Sequence, residues 1–486
     1  MSLIVYNHLT RRKEEFKPIQ EGFVSIYVCG PTIYDHAHIG HSKAYISFDV
    51  VVRYLRHLGY QVRYVQNITD VGHILDTGED RILKGARRDR VEPMELVETY
   101  MRSYFEDMDA LNVGRPNISP RPSCHVTEQI SLAELLLERG HAYEVNGSVY
   151  FDVSSWPDYG KLSGRRVEDL EEGARVAINP EKKHPADFAV WKRAEEGHIL
   201  RWPSPWGWGY PGWHVECSVM ATKYLGQPFD IHGGGLENIF PHNECEIAQI
   251  EAATGEPFCH YWLLNNMVSV DGVKMGKSLG NAITIKEMLQ RHDPMTIRFF
   301  VLSSHYRSPT DFSEEALDAA GRGLARLTGT VTLVRERLRY AEGEDVDSEW
   351  TVRLEETRSR FKDVMDDDFN TPRAIAALFD LGRDVNTLLY SDQVVNRATL
   401  EAIEGLYVSL GSDALGIIFG NGSRAGTAEQ AGGDALDGLV SILVDMRQDA
   451  RQEGEWAKAD GIRDKLVDLG IALEDGPDGT RWRLSR

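Results

Sequence analysis

A doubly wound α/β domain carrying an insertion, followed by a helical bundle and a small α+β domain, is the architecture this sequence predicts. In its first half, short apolar runs alternate with segments of helical periodicity, the pattern of a parallel sheet covered by helices. That alternation breaks at a group of prolines and resumes after residue 204. From about residue 313 the pattern turns helical, and a Gly-rich stretch then sets off a tail with apolar faces of its own.

Residues 24–29 are an apolar run stopped by Gly30 and Pro31, so they read as a buried strand ending in a turn. A helical pattern starts near His41, with Phe48, Val51, Val52 and Leu55 on one face, and Gly59 ends it. Residues 61–68 read as the next strand. Strand, helix, strand is a βαβ unit, which requires parallel pairing, and residues 1–115 read as the first half of a Rossmann-like domain. Pro116, Pro120 and Pro122 open the insertion, expected over 116–204, with a strand signal at 148–153. The second half of the doubly wound domain is expected over 205–312 and the bundle over 313–412. Within the bundle, Thr371 suits an N-cap and Pro372 the first helical position. Residues 420–433 hold no large apolar side chain, which predicts a linker over 413–435. In the tail, 436–486, Leu436, Leu439, Val440, Leu443 and Val444 form one helix face and Ile462, Leu466 and Leu469 another. A hairpin is expected between 471–473 and 481–484.

A chain of 486 residues has room for several cores and needs no disulfide staples. Its five cysteines are odd in number and widely spaced, which argues for reduced thiols and a cytoplasmic protein rather than a secreted disulfide framework. Neither a signal peptide nor a membrane span is expected. The formal net charge of -21 disfavours indiscriminate nucleic-acid binding, yet a sum over all faces leaves room for a local basic track.

Two short motifs carry chemistry. His38-Ile-Gly-His41 follows the first strand and opens the first helix, where a doubly wound fold places phosphate. Two imidazoles there can donate hydrogen bonds to phosphate oxygens, and Gly40 allows close approach; a polar turn is the bland alternative. Lys274-Met-Gly-Lys277-Ser278 is a Gly-flanked loop whose two lysines and hydroxyl suit a leaving pyrophosphate; a solvated basic turn is the alternative. A metal set is also in view. His242 and Glu246 lie i and i+4 on a predicted helix, and Cys217 and Cys29 supply thiols. Such a Cys, Cys, His, Glu set suits Zn²⁺, although single cysteines are often packing residues and Cys245 is a rival thiol.

Together, and in this order, the two motifs resemble the HIGH and KMSKS signatures of class I aminoacyl-tRNA synthetases, with Gly276 where serine is usual. Residues 27–35, 160–164, 187–192, 212–218, 230–235, 240–246 and 365–372 resemble the cysteinyl-tRNA synthetase family, and the likeness runs nearly the whole chain. One segment departs: the family usually has His-His-Glu-Asn-Glu where this chain has His242-Asn-Glu-Cys-Glu246. The resemblance implies a zinc ion on Cys29, Cys217, His242 and Glu246, catalysis by His38, His41, Lys274 and Lys277, and ATP with Mg²⁺. It implies ATP contacts from His38, Gly40, His41, Gly233, Gly234, Gly235, Glu237, Lys277 and Ser278, and cysteine contacts from Gly30, Thr69 and Trp213. It further implies cysteine and its tRNA as substrates, attack by the terminal 2′-hydroxyl, tRNA contacts in the bundle and tail, and a monomer. Two alternatives stand beside it: the cysteine ligase of mycothiol synthesis, built on the same core, and a non-catalytic synthetase-like tRNA binder. The tail after the linker disfavours the first, and the retained histidines and lysines the second.

Overall fold

A computed structural model describes residues 2–72, 80–166, 180–276, 280–391, 393–418, 429–476 and 479–484. The chain divides into two units, residues 1–421 and 422–486. The first unit begins with an antiparallel pair, β1 (Ile4–Asn7) and β2 (Arg12–Glu15), and then enters the parallel sheet with β3 (Phe23–Val28). Five of the six residues of β3 are buried, as a strand covered on both faces requires. The chain crosses over through α1 (Ile39–His57) to β4 (Gln61–Gln66), which pairs parallel to β3 with Val24 beside Val62 and Ile26 beside Tyr64. Helices α2 (Arg81–Asp89) and α3 (Pro93–Ala110) follow.

The insertion is smaller at its start and longer at its end than expected. Ile118 still bridges Val65, and the amide of Gln66 donates to its carbonyl at 3.1 Å, so the chain follows the β4 edge up to the prolines. Beyond α4 (Val126–Glu138), the strands β5 (Ala142–Val145), β6 (Ser148–Phe151), β7 (Phe188–Arg193), β8 (Trp202–Ser204) and β9 (Gly207–Pro211) form an antiparallel sheet of order β5-β6-β7-β9-β8. The last strand lies past residue 204 because Trp191, Lys192 and Arg193 of β7 pair with it.

The parallel sheet then resumes. After α5 (Val215–Leu225) comes β10 (Phe229–Gly235), and after α6 (Glu244–Thr254) comes β11 (Cys259–Asn265). The strand order is β11-β10-β3-β4. Connections leave β3 in opposite directions, so the crevice at the carboxyl ends of β3 and β10 is where such a sheet takes its ligand. A hairpin of β12 (Val268–Val270) and β13 (Val273–Lys274) follows, then α7 (Ile285–Leu289), α8 (Pro294–Leu302) and β14 (Thr310–Phe312), which pairs with β12.

Four helices complete the first unit: α9 (Glu314–Leu338), α10 (Ser348–Met365), α11 (Thr371–Leu389) and α12 (Arg397–Tyr407). The cap of α11 is Asn370, whose side chain accepts from the Arg373 amide; Thr371 is the first helical residue. The Thr371 hydroxyl donates instead to the Leu302 carbonyl at the end of α8, 2.8 Å away. The expected linker, 413–435, is folded at both ends. Leu415, Ile417 and Ile418 are buried in the first unit's core, and α13 (Glu429–Gln452) begins before residue 435; residues 419–428 lie outside those described.

The second unit holds α13, α14 (Trp456–Asp468) and an antiparallel hairpin of β15 (Ile471–Gly476) and β16 (Gly479–Leu484). Val440, Leu466 and Ile471 form its small core, with Leu443, Val444 and Ile462 against it. Leu439 and Leu469 are exposed and do not join the faces expected of them. Among the described residues, no helix is long and apolar enough to cross a membrane.

Candidate active site

The first signature is built into the start of α1. His38 is its N-cap: Nδ1 accepts from the Gly40 amide at 3.2 Å, while Nδ1 of His41 accepts from the His38 amide at 3.1 Å. The two rings stack with centroids 4.0 Å apart. Because each Nδ1 is an acceptor, a neutral ring carries its proton on Nε2 and presents an N–H donor. The helix N-terminus adds positive potential beneath them.

The second signature is stitched to the first by backbone. The Ile39 amide donates to the Ile283 carbonyl at 3.1 Å, and the Ile285 amide to the Ala37 carbonyl at 2.9 Å. A Cβ on Gly40 would stand 2.9 Å from the methyl of Met275 and 3.0 Å from the His38 ring, so a larger residue there would push the Met275 side chain aside. Asn281 holds the loop, accepting from the Gly276 amide at 2.9 Å and donating to the Lys274 carbonyl at 3.3 Å. Lys277 and Ser278 lie outside the described residues.

A cavity of about 500 Å³ opens over the carboxyl ends of β3 and β10 and takes in both signatures. His38, Gly40, His41, Gly234, Gly235, Glu237 and Lys274 line it. Gly233 does not: a Cβ there would meet the Phe48 ring of α1 at 2.5 Å, so this glycine serves helix–strand packing rather than nucleotide contact. Its neighbour Gly234 has ordinary room toward Cys29, 3.8 Å away.

Deeper in, the expected metal ligands converge. One donor atom each from Cys29, Cys217, His242 and Glu246 lies within 4.8 Å of the others, and all four residues are buried. Cys29 follows β3, Cys217 sits in the first turn of α5, and His242 and Glu246 flank the start of α6. The imidazole Nε2 of His242 is 3.0 Å from Glu246 Oε1, as i, i+4 spacing allows. Burial pushes the Cys217 thiol well above its ordinary pKa. For Cys29, the hydrogen bond from Cys217 favours the thiolate, but burial and the carboxylates of Glu246 and Glu216 outweigh it and push the thiol up to about 11. Burial also acts to raise Glu246, yet His232, His242 and the Asn243 amide hold it below the usual range. Two thiols held protonated by burial beside a carboxylate kept charged are a donor set that a soft divalent cation would stabilise. His232 was not singled out by the sequence, and Asn243 only as part of the segment that departs from the family's usual pattern. Nε2 of His232 lies 2.7 Å from Glu246 Oε2, and its ring stacks on Trp262. The Asn243 amide donates to Glu246 at 3.1 Å and toward the Cys29 sulfur at 3.8 Å.

The expected cysteine-contacting residues surround this cluster, and all three are already engaged. Trp213 stacks on His242, with centroids 4.6 Å apart. The Thr69 hydroxyl donates to Glu216 Oε1 at 2.8 Å, and the Gly30 amide donates to Asn67 Oδ1 at 2.7 Å. A Cβ on Gly30 would fall 1.5 Å from the Asn67 carbonyl oxygen, so the ends of β3 and β4 can meet only through glycine. Glu216 is the other residue sequence reading missed. It is buried and lines the cavity, burial holds it well above the carboxylate range, and its Oε2 has no hydrogen-bond partner among the described residues. Its one sequence signal is an acidic residue next to Cys217 in an otherwise apolar turn.

Comparison with known proteins gives the family. The class I (C) tRNA synthetase catalytic domain model matches residues 15–322, the DALR domain model 360–420, and the cysteinyl-tRNA ligase anticodon binding domain model 434–483. The chain is 52% identical to a cysteine–tRNA ligase of Chlorobium chlorochromatii, with 100% of each chain covered. It is 50% identical to that of Deinococcus radiodurans, over 99% of this chain and 97% of the relative. In fold it is similar to Mycobacterium tuberculosis methionyl-tRNA synthetase in complex with methionyl-adenylate, at a TM-score of 0.60 and 15% identity, covering 81% of this chain and 91% of that one. An Agrobacterium radiobacter LeuRS–tRNA–LeuAMS ternary complex gives a TM-score of 0.58 at 14% identity, covering 83% and 85%. With parallel sheet, paired signatures and full-length relatives in agreement, the chain belongs to the cysteine–tRNA ligase family of class I aminoacyl-tRNA synthetases.

Proposed function

We propose that this chain activates L-cysteine with ATP and transfers it to tRNA(Cys). The observation that carries the reading is the opening of one cavity onto both signatures and onto Cys29, Cys217 and His242. In the first step, a cysteine carboxylate oxygen bonds to the α-phosphorus and the bond to pyrophosphate breaks. The Nε2–H groups of His38 and His41 donate to the phosphate oxygens as charge develops there. Lys274, with Lys277 and Ser278 by resemblance, neutralises the departing pyrophosphate, which carries Mg²⁺. Gly234 and Gly235 give adenosine a close seat on the backbone, and the Glu237 carboxylate accepts from the ribose hydroxyls. In the second step, the 2′-hydroxyl of the terminal adenosine attacks the acyl carbon and AMP leaves.

A zinc ion held by Cys29, Cys217, His242 and Glu246 would supply a preference for a thiolate over an alcohol. An apolar pocket could separate cysteine from serine by only about 1–3 kcal/mol. Trp213 stacks on one ligand and limits the pocket's size, while Asn67 fixes the wall at Gly30. The protein is read as a cytoplasmic monomer. Purified protein given ATP, Mg²⁺, cysteine and tRNA(Cys) is expected to yield cysteinyl-tRNA; activation of cysteine without transfer to RNA would overturn the reading and favour the amino-sugar ligase.

A further inference from the structure

Arg81 is a cation in the catalytic cavity to which neither signature gives a task. It is the first residue of α2, lines the cavity together with Tyr34, and makes no ion pair with a carboxylate among the described residues. Its Nη1 donates to the Tyr34 hydroxyl at 3.0 Å, and the guanidinium carbon lies 5.4 Å from the centroid of that ring. Nε is buried and has no partner among the described residues. Nη2 makes no hydrogen bond among the described residues either, so the Nε–Nη2 edge is unpartnered, and such an edge matches two oxygens of a phosphate or carboxylate at once. In a chain of net charge -21, an arginine left without a carboxylate on a cavity wall is an unmet demand for an anion.

Position selects which anion. The sheet order β11-β10-β3-β4 puts β11, whose chain runs on to Lys274, and β4, whose chain runs on to α2, at opposite edges of the sheet. The triphosphate side is served by the histidines and Lys274. Arg81 stands instead on the insertion side, where Asp80 caps α2 and feels the charge of His198, which precedes β8. The rest of α2 braces the same wall, Arg88 donating to the Tyr34 carbonyl at 3.1 Å. We propose that Arg81, set by Tyr34, binds the last phosphodiester of the tRNA 3′ end and so positions the terminal ribose for the second step. This rests on the synthetase reading and names a subsite within it.

The test separates the two half-reactions. For Arg81→Met, cysteine-dependent ATP–pyrophosphate exchange is expected within about twofold of the parent, while KM for tRNA in charging rises about ten- to hundredfold, the worth of one charged hydrogen-bonded contact. Arg81→Lys keeps the charge without the fork and is expected to fall between. A tRNA whose last internucleotide linkage is an uncharged methylphosphonate should be charged poorly by the parent and no more poorly by Arg81→Met. That last comparison holds even where the variant is destabilised, since each protein is its own reference. Exchange falling in step with charging would assign Arg81 to ATP or to the cysteine carboxylate and overturn the proposal. So would a neutral linkage that penalises parent and variant equally. A parent that activates cysteine but charges no RNA would sink the synthetase reading itself, a distinguishable failure.

Discussion

Glycine positions show most plainly how single residues partition between fold and chemistry. Gly30 and Gly40 both border the cavity, and at Gly30 a side chain would strike the Asn67 backbone carbonyl, whereas at Gly40 it would meet only the movable methyl of Met275 and the edge of His38. Gly233, in the same Gly-Gly-Gly run as the cavity-lining Gly234 and Gly235, answers instead to Phe48. Gly233→Ala is therefore expected to cost about 1–3 kcal/mol through overpacking, read as a lowered unfolding midpoint. KM for ATP should change little; a large rise in KM with unaltered stability would return Gly233 to the nucleotide. Of the four metal-ligand candidates, the i, i+4 pair of His242 and Glu246 was legible in the spacing, while the choice of Cys29 and Cys217 over Cys245 came from the family resemblance. Their supports were not legible. His232 meets Glu246 only because β10 lies beneath α6, and Asn243 reaches Cys29 across more than two hundred intervening residues.

At the scale of elements, α1 links the chemistry to its supports. Its residue Lys43 is buried with no carboxylate beside it among the described residues, its ammonium donating to the Ser308 carbonyl and, at 2.6 Å, to the Thr310 hydroxyl. Thr310 belongs to β14, β14 pairs with β12, and β12 carries the hairpin that ends at Lys274. This side chain thus adds a second tie, beside the backbone bonds at Ile39 and Ile285, between the histidine helix and the lysine loop. Burial lowers the Lys43 pKa to about 8. The sign follows: the folded state resists this charge, so the cost is full below about 8 and fades as pH rises toward the ordinary lysine value. Lys43→Met is expected to leave stability at pH 7 unchanged or raised, while kcat for cysteine activation falls about tenfold as the loop loses its brace. Unchanged exchange would remove Lys43 from the positioning machinery. Elements with strong patterns were readable in advance: β3 is nearly all apolar, and α1 has periodic apolar residues. Those whose identity depends on partners were not. The Gly-Trp-Gly-Tyr-Pro run of β9 becomes a strand through its pairing with β7 on one side and β8 on the other, and Thr371 yields the cap of α11 to Asn370 because Leu302 needs its hydroxyl.

Across the whole molecule, every candidate site residue falls in the unit of residues 1–421, while the anticodon binding domain model matches 434–483 in the other. Each unit has its own apolar core. A chain ending at residue 421 is therefore expected to keep cysteine-dependent ATP–pyrophosphate exchange and to lose most charging at low tRNA concentration; loss of exchange would show that the second unit is needed for chemistry. The net charge of -21 did not exclude an RNA partner, because recognition is set by local groups and not by the sum. The most direct measurement is charging of tRNA(Cys) by the purified full chain with cysteine or serine, before and after zinc is removed by a chelator and then restored. Charging with cysteine alone, abolished by chelation and recovered with zinc, is the result expected from the buried Cys29, Cys217, His242 and Glu246 cluster. Undiminished selectivity for cysteine in protein shown to be metal-free would contradict it.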